Sequence, residues 1–440
     1  MEYLKQARTD TRKQAMDVRN TVSAILADIE ENGQAAIEKY SKELDGWTCR
    51  FAVSGEEMAE KSKEVPQDIM KDLHFAHEQV HSFALKQRES LQGFKTRMDT
   101  GAVLGQRVIP CRCAGCYVPG GRFMHATSAI MSIATARAAG VPYVVACSPS
   151  HKQQGIPPLV LAAMSICQPD IVLTLGGVQA VAAMAFGLFS ERPADVIVGP
   201  GNRFVAEAKR QLFGRVGIDM IAGPSESLII ADSTADPVIV AVDLMSQAEH
   251  GYDSPVWLVT DSRKLGEEVM DLVPRFIKTL PYPEVANQSW ADYGQVILCS
   301  NREEMVQISD TYAPEHLQVQ AGDQEWWLDN LTNYGSLFLG EGSTVTYGDK
   351  AAGTNHILPT SQAARYTGGL SVGKFLKTVT YQSIPPVESF RIGAASSRLS
   401  RAEGMEGHAR AADVRLQKYF PDYEFDFEIF NTSEYFVRSG

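Results

Sequence analysis

Near the start of the chain, apolar residues recur three and four positions apart in NTVSAILADIEENGQAAIEKYSKEL and again in VPQDIMKDLHFAHEQVHSFALKQRESL. That spacing keeps one face of a helix apolar, so residues 1 to 95 are expected to be amphipathic helices with little chemistry. From about residue 100 the pattern changes to short β-branched runs, closed by Gly or Pro and followed by Ala-rich stretches of helical period. Such alternation predicts parallel α/β structure. The clearest units are YVVACSPS, DIVLTLGGVQAVAAMAFG and ADVIVGPGNRFVAEAKRQLFG; ESLIIAD and SPVWLVT then bracket a helix beginning near Pro237, and QVILCS and GSLFLG continue the series. In the second and third units an apolar strand runs into a glycine turn and a helix, a place where backbone N–H groups can meet an anionic ligand such as a nucleotide. The usual GxGxxG fingerprint followed by an acidic residue is absent. The last twenty residues, PDYEFDFEIFNTSEYFVRSG, alternate acids with aromatics without a core-forming period and are expected to be an appended tail.

Composition narrows the class. At 440 residues, 44% hydrophobic and 21% charged, the chain is long enough for more than one packed layer or domain and too apolar to be disordered. Its 41 Lys+Arg against 53 Asp+Glu give a net charge of −12, which provides no global field to attract nucleic acid or anionic lipid. No uncharged apolar run approaches the length of a membrane span, and the first residues carry charges of both signs, so a cytoplasmic protein is expected. The seven cysteines are odd in number and expected to be reduced. CRCAGC at 111–116 lacks a second Cys-x-x-Cys knuckle to complete a zinc site and reads as buried strand and loop.

Four polar clusters carry candidate chemistry. In DLMSQAEHGYDSP, Gln247 and His250 stand three apart on a helix that Gly251 should end, so an amide oxygen and an imidazole can share one face and one metal. Taken alone, a His near a helix end is more often structural. In DTYAPEHLQV, Glu315 and His316 follow Pro314 and supply two proton acceptors, which suits removal of protons from an alcohol and from water. A helix start with Glu315 in its first turn accounts for the same residues. VTYGDKAAGTNHILPT gathers Asp349, Lys350, Asn355 and His356 in a Gly- and Thr-rich loop, either functional or plain turn chemistry. SRAEGMEGHARAADVRL presents Glu403 and His408 on a polar helix.

Together these segments resemble histidinol dehydrogenase from about Met1 to Pro421, with SQAEHG, APEHL, GTNH-x-LPT, GCYVPGG, GGVQA-x-AA-x-AFG, GPGN-x-FV-x-EAKR and AGPSE in the family's order. The resemblance implies an α/β fold of two incomplete Rossmann-like parallel domains, the first formed by 25–118 with 225–370 and the second, on the cofactor side, by 119–224. A helical segment at 1–24, a dimerisation arm at 371–420 and the tail at 421–440 complete the expected organisation. One Zn2+ per subunit is implied at Gln247, His250, Asp349 and His408, with His408 donated across a homodimer interface. Glu315 and His316 then resemble the acid–base pair, Tyr117, Gln179 and Asn202 the NAD positions, and Ser225 and Glu403 substrate contacts beside His316 and the four metal ligands.

Where YVPGGRFMHATSAIMS places Arg122 and His125, and where Lys350 follows Asp349, the chain departs from the pattern associated with histidinol enzymes. Extra cations beside a partly desolvated site favour an anionic substrate over a cationic imidazole–amine. These departures look like the branch that oxidises (R)-2,3-dihydroxypropane-1-sulfonate to sulfolactate, with Arg122, His125, Lys350 and His356 as candidate substrate contacts. A solvated rim is the alternative reading of Arg122 and Lys350. The alternatives are oxidation of L-histidinol to L-histidine, a zinc hydrolase using Glu315 and His316 without NAD, and a silent homologue.

Overall fold

The computed structural model describes residues 1–8, 15–121, 123–151 and 153–431. It divides into two units, residues 1–89 with 110–376 and residues 90–109 with 377–440. The first unit contains two six-stranded sheets. One has the order Glu2–Lys5, Gln295–Leu298, Val256–Thr260, Ser227–Ala231, His316–Gln320, Ser336–Leu339, and only its first strand runs antiparallel to its neighbour. The other has the order Ala52–Val53, Ile171–Thr174, Tyr143–Ser148, Cys113–Tyr117, Val196–Val198, Gly217–Ile218, again with only the first strand antiparallel. Ser227–Ala231, Val256–Thr260 and Cys113–Tyr117 are buried at every position, which is why they read as continuous apolar or small-residue runs; His316–Gln320 is equally buried but alternates polar with apolar residues.

The structure corrects several expectations. Residues 1–24 are not simply helical: Glu2–Lys5 is an edge strand, and Leu4 packs against Gly266 and the core around Val296, while the helix starts at Ala15. Cys113–Tyr117, expected in the first α/β domain, lies in the middle of the second sheet, so the buried reading of CRCAGC holds for Cys113 and Cys116. The helix Ala15–Asn32, whose residues from 25 onward were likewise expected in the first domain, seats Val22, Ile25, Leu26 and Ile29 among Val178, Val181 and Val205, on the helices of that same second sheet. An amphipathic stripe specifies that a helix must bury one face, but not which sheet covers it.

The second unit differs from the expected 371–420 arm because it also takes in Phe94–Arg97 and Val103–Pro110, strands that form a three-stranded sheet with Leu376–Ser383. Helices Phe390–Ala402 and Glu406–Tyr419 are joined across a buried carboxylate. Asp413 accepts from Ser397 Oγ at 2.6 Å, from Arg401 at 2.6 Å and from the Phe430 backbone at 2.8 Å. The segment expected to be an appended tail is therefore part of this unit: Tyr423 packs edge-on against Phe390 at 4.4 Å, Phe425 follows at 6.1 Å, and Arg398 lies over Phe427. Acids alternate with aromatics here because the rings stack on the helix pair, a packing with neither strand nor helix period; residues 432–440 of the tail lie outside the described residues.

In the second sheet of the first unit, Lys209 and Asp219 form an ion pair with side chains 3% and 0% exposed. Lys209 Nζ also donates to Gly199 O at 3.0 Å, and Asp219 Oδ2 accepts Gly199 N at 2.8 Å. The pair thereby clamps the turn after Val196–Val198. Lys209→Met leaves the buried carboxylate uncompensated and should cost about 3–5 kcal/mol, readable as a lower urea midpoint for unfolding.

Candidate active site

The reactive groups gather at the amino edge of the first sheet. The helix Arg302–Tyr312 is stopped by Ala313, with φ 46°, and by Pro314, so Glu315 and His316 enter a strand, not the first turn of a helix. Parallel register sets His316 beside Ser227. The carbonyl of Glu226 then accepts both the His316 backbone N–H at 3.1 Å and ring Nδ1 at 3.2 Å. A carbonyl only accepts, so Nδ1 carries the proton of the neutral ring. Nε2 is left buried without a hydrogen-bond partner, 3.7 Å from Asp349 Oδ1. Glu315 Oε2 accepts the Glu226 N–H at 3.0 Å and lies 3.6 Å from His316 Nδ1, while Glu226 Oε1 accepts from Ser361 N at 2.9 Å.

Burial pushes the Glu315 carboxyl up to about 8, against the pull of His316, and pushes Glu226 up to about 7, against the Ser361 N–H. Burial alone would lower His316, but Glu315 and Asp349 on either side raise it. Glu315 and His316 therefore titrate as a pair that keeps a proton well above the ordinary carboxylate range. Burial opposes ionisation of Asp349 as well, yet His316, His356 and His250 hold it well below the usual carboxylate range.

Asp349 comes from the short helix Val345–Lys350 within the polar loop. His356 Nδ1 donates to Asp349 O at 2.8 Å, so its Nε2 accepts from Ser128 Oγ at 2.9 Å. Both ring nitrogens are engaged, which leaves His356 as a brace for the Asp349 turn with no nitrogen for a substrate. Asn355 donates to Met131 O at 2.9 Å, also on the helix Ala126–Ala138. Gln247 lies on the helix Pro237–Ala248, which ends one residue earlier than Gly251 was expected to end it; His250 sits in the following turn, its N–H on Gln247 O at 3.3 Å, an i→i+3 bond. Gln247 Oε1 is buried without a partner. His250 is lowered chiefly by desolvation, against Asp349, and His125 is pushed down to about 4 by burial with His356 and Lys350 adding to it. These mutual effects bring His125, His250, His316, Asp349, Lys350 and His356 into one electrostatic neighbourhood. Lys350 is exposed and makes no ion pair among the described residues.

Among the described residues, no group of three or more His, Cys, Asp or Glu side chains is gathered as a metal centre. Of the expected ligands this unit supplies one amide, one imidazole and one carboxylate; the orphaned Gln247 oxygen and the ionised Asp349 are donors that fit a divalent ion. His408 and Glu403 belong to the second unit, where both are exposed. Ser225 is half-buried beside Glu226 in the first unit, and Arg122 lies outside the described residues.

The expected cofactor residues lie on the other sheet. Its strand order reverses between Cys113–Tyr117 and Val196–Val198, and the crevice at the carboxyl ends of such strands is the usual ligand position. Tyr117 ends the first of these strands, and Asn202 follows the second after the Gly199 turn. Gly199, at φ 117°, passes so close that a Cβ would lie 2.0 Å from Tyr117 O. Part of each helix start is already engaged within the chain: Asn202 Oδ1 accepts Phe204 N at 3.0 Å and Val205 N at 3.2 Å, and Tyr117 OH accepts Gly177 N at 3.2 Å. Gln179 donates to Asp45 at 2.7 Å, leaving its own Oε1 buried and unpartnered. Glu226, Ser128 and Asp45 escaped the sequence reading; Glu226 stood within AGPSE, whereas nothing local marked the other two.

A buried carboxyl–imidazole pair at one sheet edge and a strand-order reversal in a second parallel sheet are an arrangement that suits a dehydrogenase. The Histidinol dehydrogenase family model matches residues 8–416, and the chain belongs to that family, which is one of NAD-dependent dehydrogenases acting on alcohols. It is 54% identical over 428 residues to the sulfopropanediol 3-dehydrogenase of Ruegeria pomeroyi, covering 97% of this chain and 98% of that protein. It is 39% identical over 398 residues to the histidinol dehydrogenase of Thermus thermophilus, covering 90% and 94%. The crystal structure of histidinol dehydrogenase from Elizabethkingia anophelis superposes with a TM-score of 0.88 at 32% identity, covering 94% of each chain.

Ser128→Ala would leave His356 Nε2 without its donor. Stability should fall by about 1–3 kcal/mol, measured by urea unfolding, because the acceptor stays enclosed with no replacement.

Proposed function

We propose that this protein is a zinc-dependent, NAD-linked dehydrogenase that oxidises a small anionic primary alcohol through a bound aldehyde to the acid, namely (R)-2,3-dihydroxypropane-1-sulfonate to sulfolactate. The observation that carries the chemistry is the unpartnered, tautomer-fixed Nε2 of His316 beside Asp349 and Glu315. Support for the substrate comes from the resemblance to sulfopropanediol 3-dehydrogenase and from Lys350 next to Asp349, a cation that favours a sulfonate over a cationic imidazole–amine, with His125, held neutral by burial, as a hydrogen-bonding group beside it.

Gln247, His250 and Asp349 would hold zinc, with His408 arriving from a second copy of the chain in a homodimer. When bound, zinc supplies polarisation of the substrate hydroxyl and NAD, at Tyr117, Gln179 and Asn202, supplies the hydride acceptor. His316 takes the hydroxyl proton on Nε2, while the Glu226 carbonyl keeps Nδ1 protonated and the ring in place. Glu315 removes a proton from water as the water adds to the aldehyde, and His316 takes the next proton as the hydrate is oxidised. Ser225 and Glu403 complete the substrate contacts in this reading, and Lys350 faces the sulfonate.

Oxidation of the sulfonate should form two NADH per acid, cease with a chelator and return with zinc. Turnover of L-histidinol alone would overturn the substrate assignment, and turnover without NAD would favour a hydrolase. His316→Asn should retain zinc while kcat falls by about 10²–10⁴-fold, the range for losing a general base. Lys350→Met should raise KM for the sulfonate about tenfold, near 1.4 kcal/mol.

Either base works only when deprotonated; burial places Glu315 at about 8 and, against burial, the flanking carboxylates raise His316 to about 9, so activity should climb as pH rises through about 8–9. Glu315→Gln removes a carboxylate that raises His316 and should move that limb to lower pH; a wild-type profile flat between pH 6 and about 9 would count against the pair as the base.

A further inference from the structure

We infer that Asp243 is a positioning residue that holds together the three segments bearing the candidate ligands and the base. Asp243 lies one turn before Gln247 on the helix Pro237–Ala248, four positions away and so on the same face. Its Oδ2 accepts Gln318 Nε2 at 2.6 Å and Gln320 Nε2 at 2.9 Å. Those two side chains share a strand face with His316, since residues two apart point the same way. Its Oδ1 accepts Thr344 Oγ1 at 2.9 Å. Thr344 is the N-cap residue of the helix that carries Asp349, yet its hydroxyl makes no capping bond because it is turned to Asp243. One carboxylate thus joins the Gln247 helix, the His316 strand and the Asp349 helix.

The arrangement is a poor solution to packing alone. The Oε1 atoms of Gln318 and Gln320 are both buried without partners, because both amide nitrogens are directed at Asp243. Two orphaned acceptors and an enclosed anion are all costly, and apolar side chains of similar volume would fill the same space more cheaply. What the polar version adds is direction: three donors converge on one acceptor group and fix the helix, strand and cap relative to one another. Groups that orient metal ligands in this way commonly change metal affinity by about 10–100-fold when removed.

The inference rests on the zinc and base assignments above, so its test measures metal and turnover separately in the full-length protein. Zinc affinity by chelator competition, kcat, KM and the urea midpoint would be compared for wild type, Asp243→Ala, Asp243→Asn and Thr344→Val. Tyr40→Phe, which removes a hydroxyl bonded to Asp28 Oδ2 at 2.7 Å among the helices of the second sheet, serves as the stability control. Asp243→Ala should lower zinc affinity about 10–100-fold and lower kcat with KM little moved. Asp243→Asn, whose Oδ1 can take both glutamine amides, should restore most of the loss, and Thr344→Val should produce a smaller loss of the same kind. Tyr40→Phe should lower the urea midpoint alone. Wild-type zinc affinity and kcat in folded Asp243→Ala would overturn the inference; should that variant not fold, the same result in Thr344→Val would do so. A wild type that binds no zinc would sink the metal assignment instead, and kcat in the same variants would then decide the role of Asp243.

Discussion

The register between the strands Ser227–Ala231 and His316–Gln320 governs the chemistry of this molecule. It sets one carbonyl, that of Glu226, against both the backbone and the ring of His316, and so fixes which nitrogen is basic and where it points. A slip of one residue would turn His316, Gln318 and Gln320 to the opposite face of the sheet, away from the helix that carries Asp243 and Gln247. Because both faces of the strand are buried, no solvent-exposed alternative competes with the observed pairing. The most exacting constraint on the site is therefore met by ordinary backbone hydrogen bonding.

Much of this was legible in the residues, and the limits have physical causes. The parallel α/β pattern from about residue 100 and the buried character of CRCAGC follow from short apolar runs closed by glycine, signals that depend only on local chain behaviour. Glu315 and His316 stood out as an adjacent acid and base, but their place on a strand hinged on Ala313 adopting φ 46° before Pro314, and alanine gives no local warning of that. The assignment of the early helices to a sheet failed because amphipathic stripes are interchangeable in sequence. Ser128 and Asp45 act through hydrogen bonds spanning 228 and 134 residues, which no window of sequence contains. His356 was singled out correctly as a member of the neighbourhood, but its two nitrogens are spent on Asp349 and Ser128, and only geometry distinguishes a brace from a contact.

The two sheets present opposite edges to their respective tasks. The acid–base pair occupies the amino edge of one, whereas Tyr117 and the Gly199 turn occupy the carboxyl edge of the other, at its strand-order reversal. The helix Ala126–Ala138, which leaves that carboxyl edge, is bonded through Ser128 and Met131 to the loop carrying Asp349. That helix and the Asp349 backbone are thus coupled through a single side chain, His356.

The charge arrangement gives that coupling its consequence. Asp349 is a buried anion with three imidazoles close enough to depress its pKa, and Lys350 beside it reaches solvent without an ion pair among the described residues. The enclosed interior of the site is therefore compensated around a single negative group, while its exposed margin carries unpaired positive charge. A neutral or cationic molecule entering such a site would leave Lys350 uncompensated as water is displaced. An anion would neutralise Lys350 at the rim and leave the field around His316 and Asp349 undisturbed. Lys350 and His316 stand on separate elements, the helix Val345–Lys350 and the strand His316–Gln320, so a substitution at position 350 leaves untouched the Glu226 carbonyl bonds that hold the His316 ring.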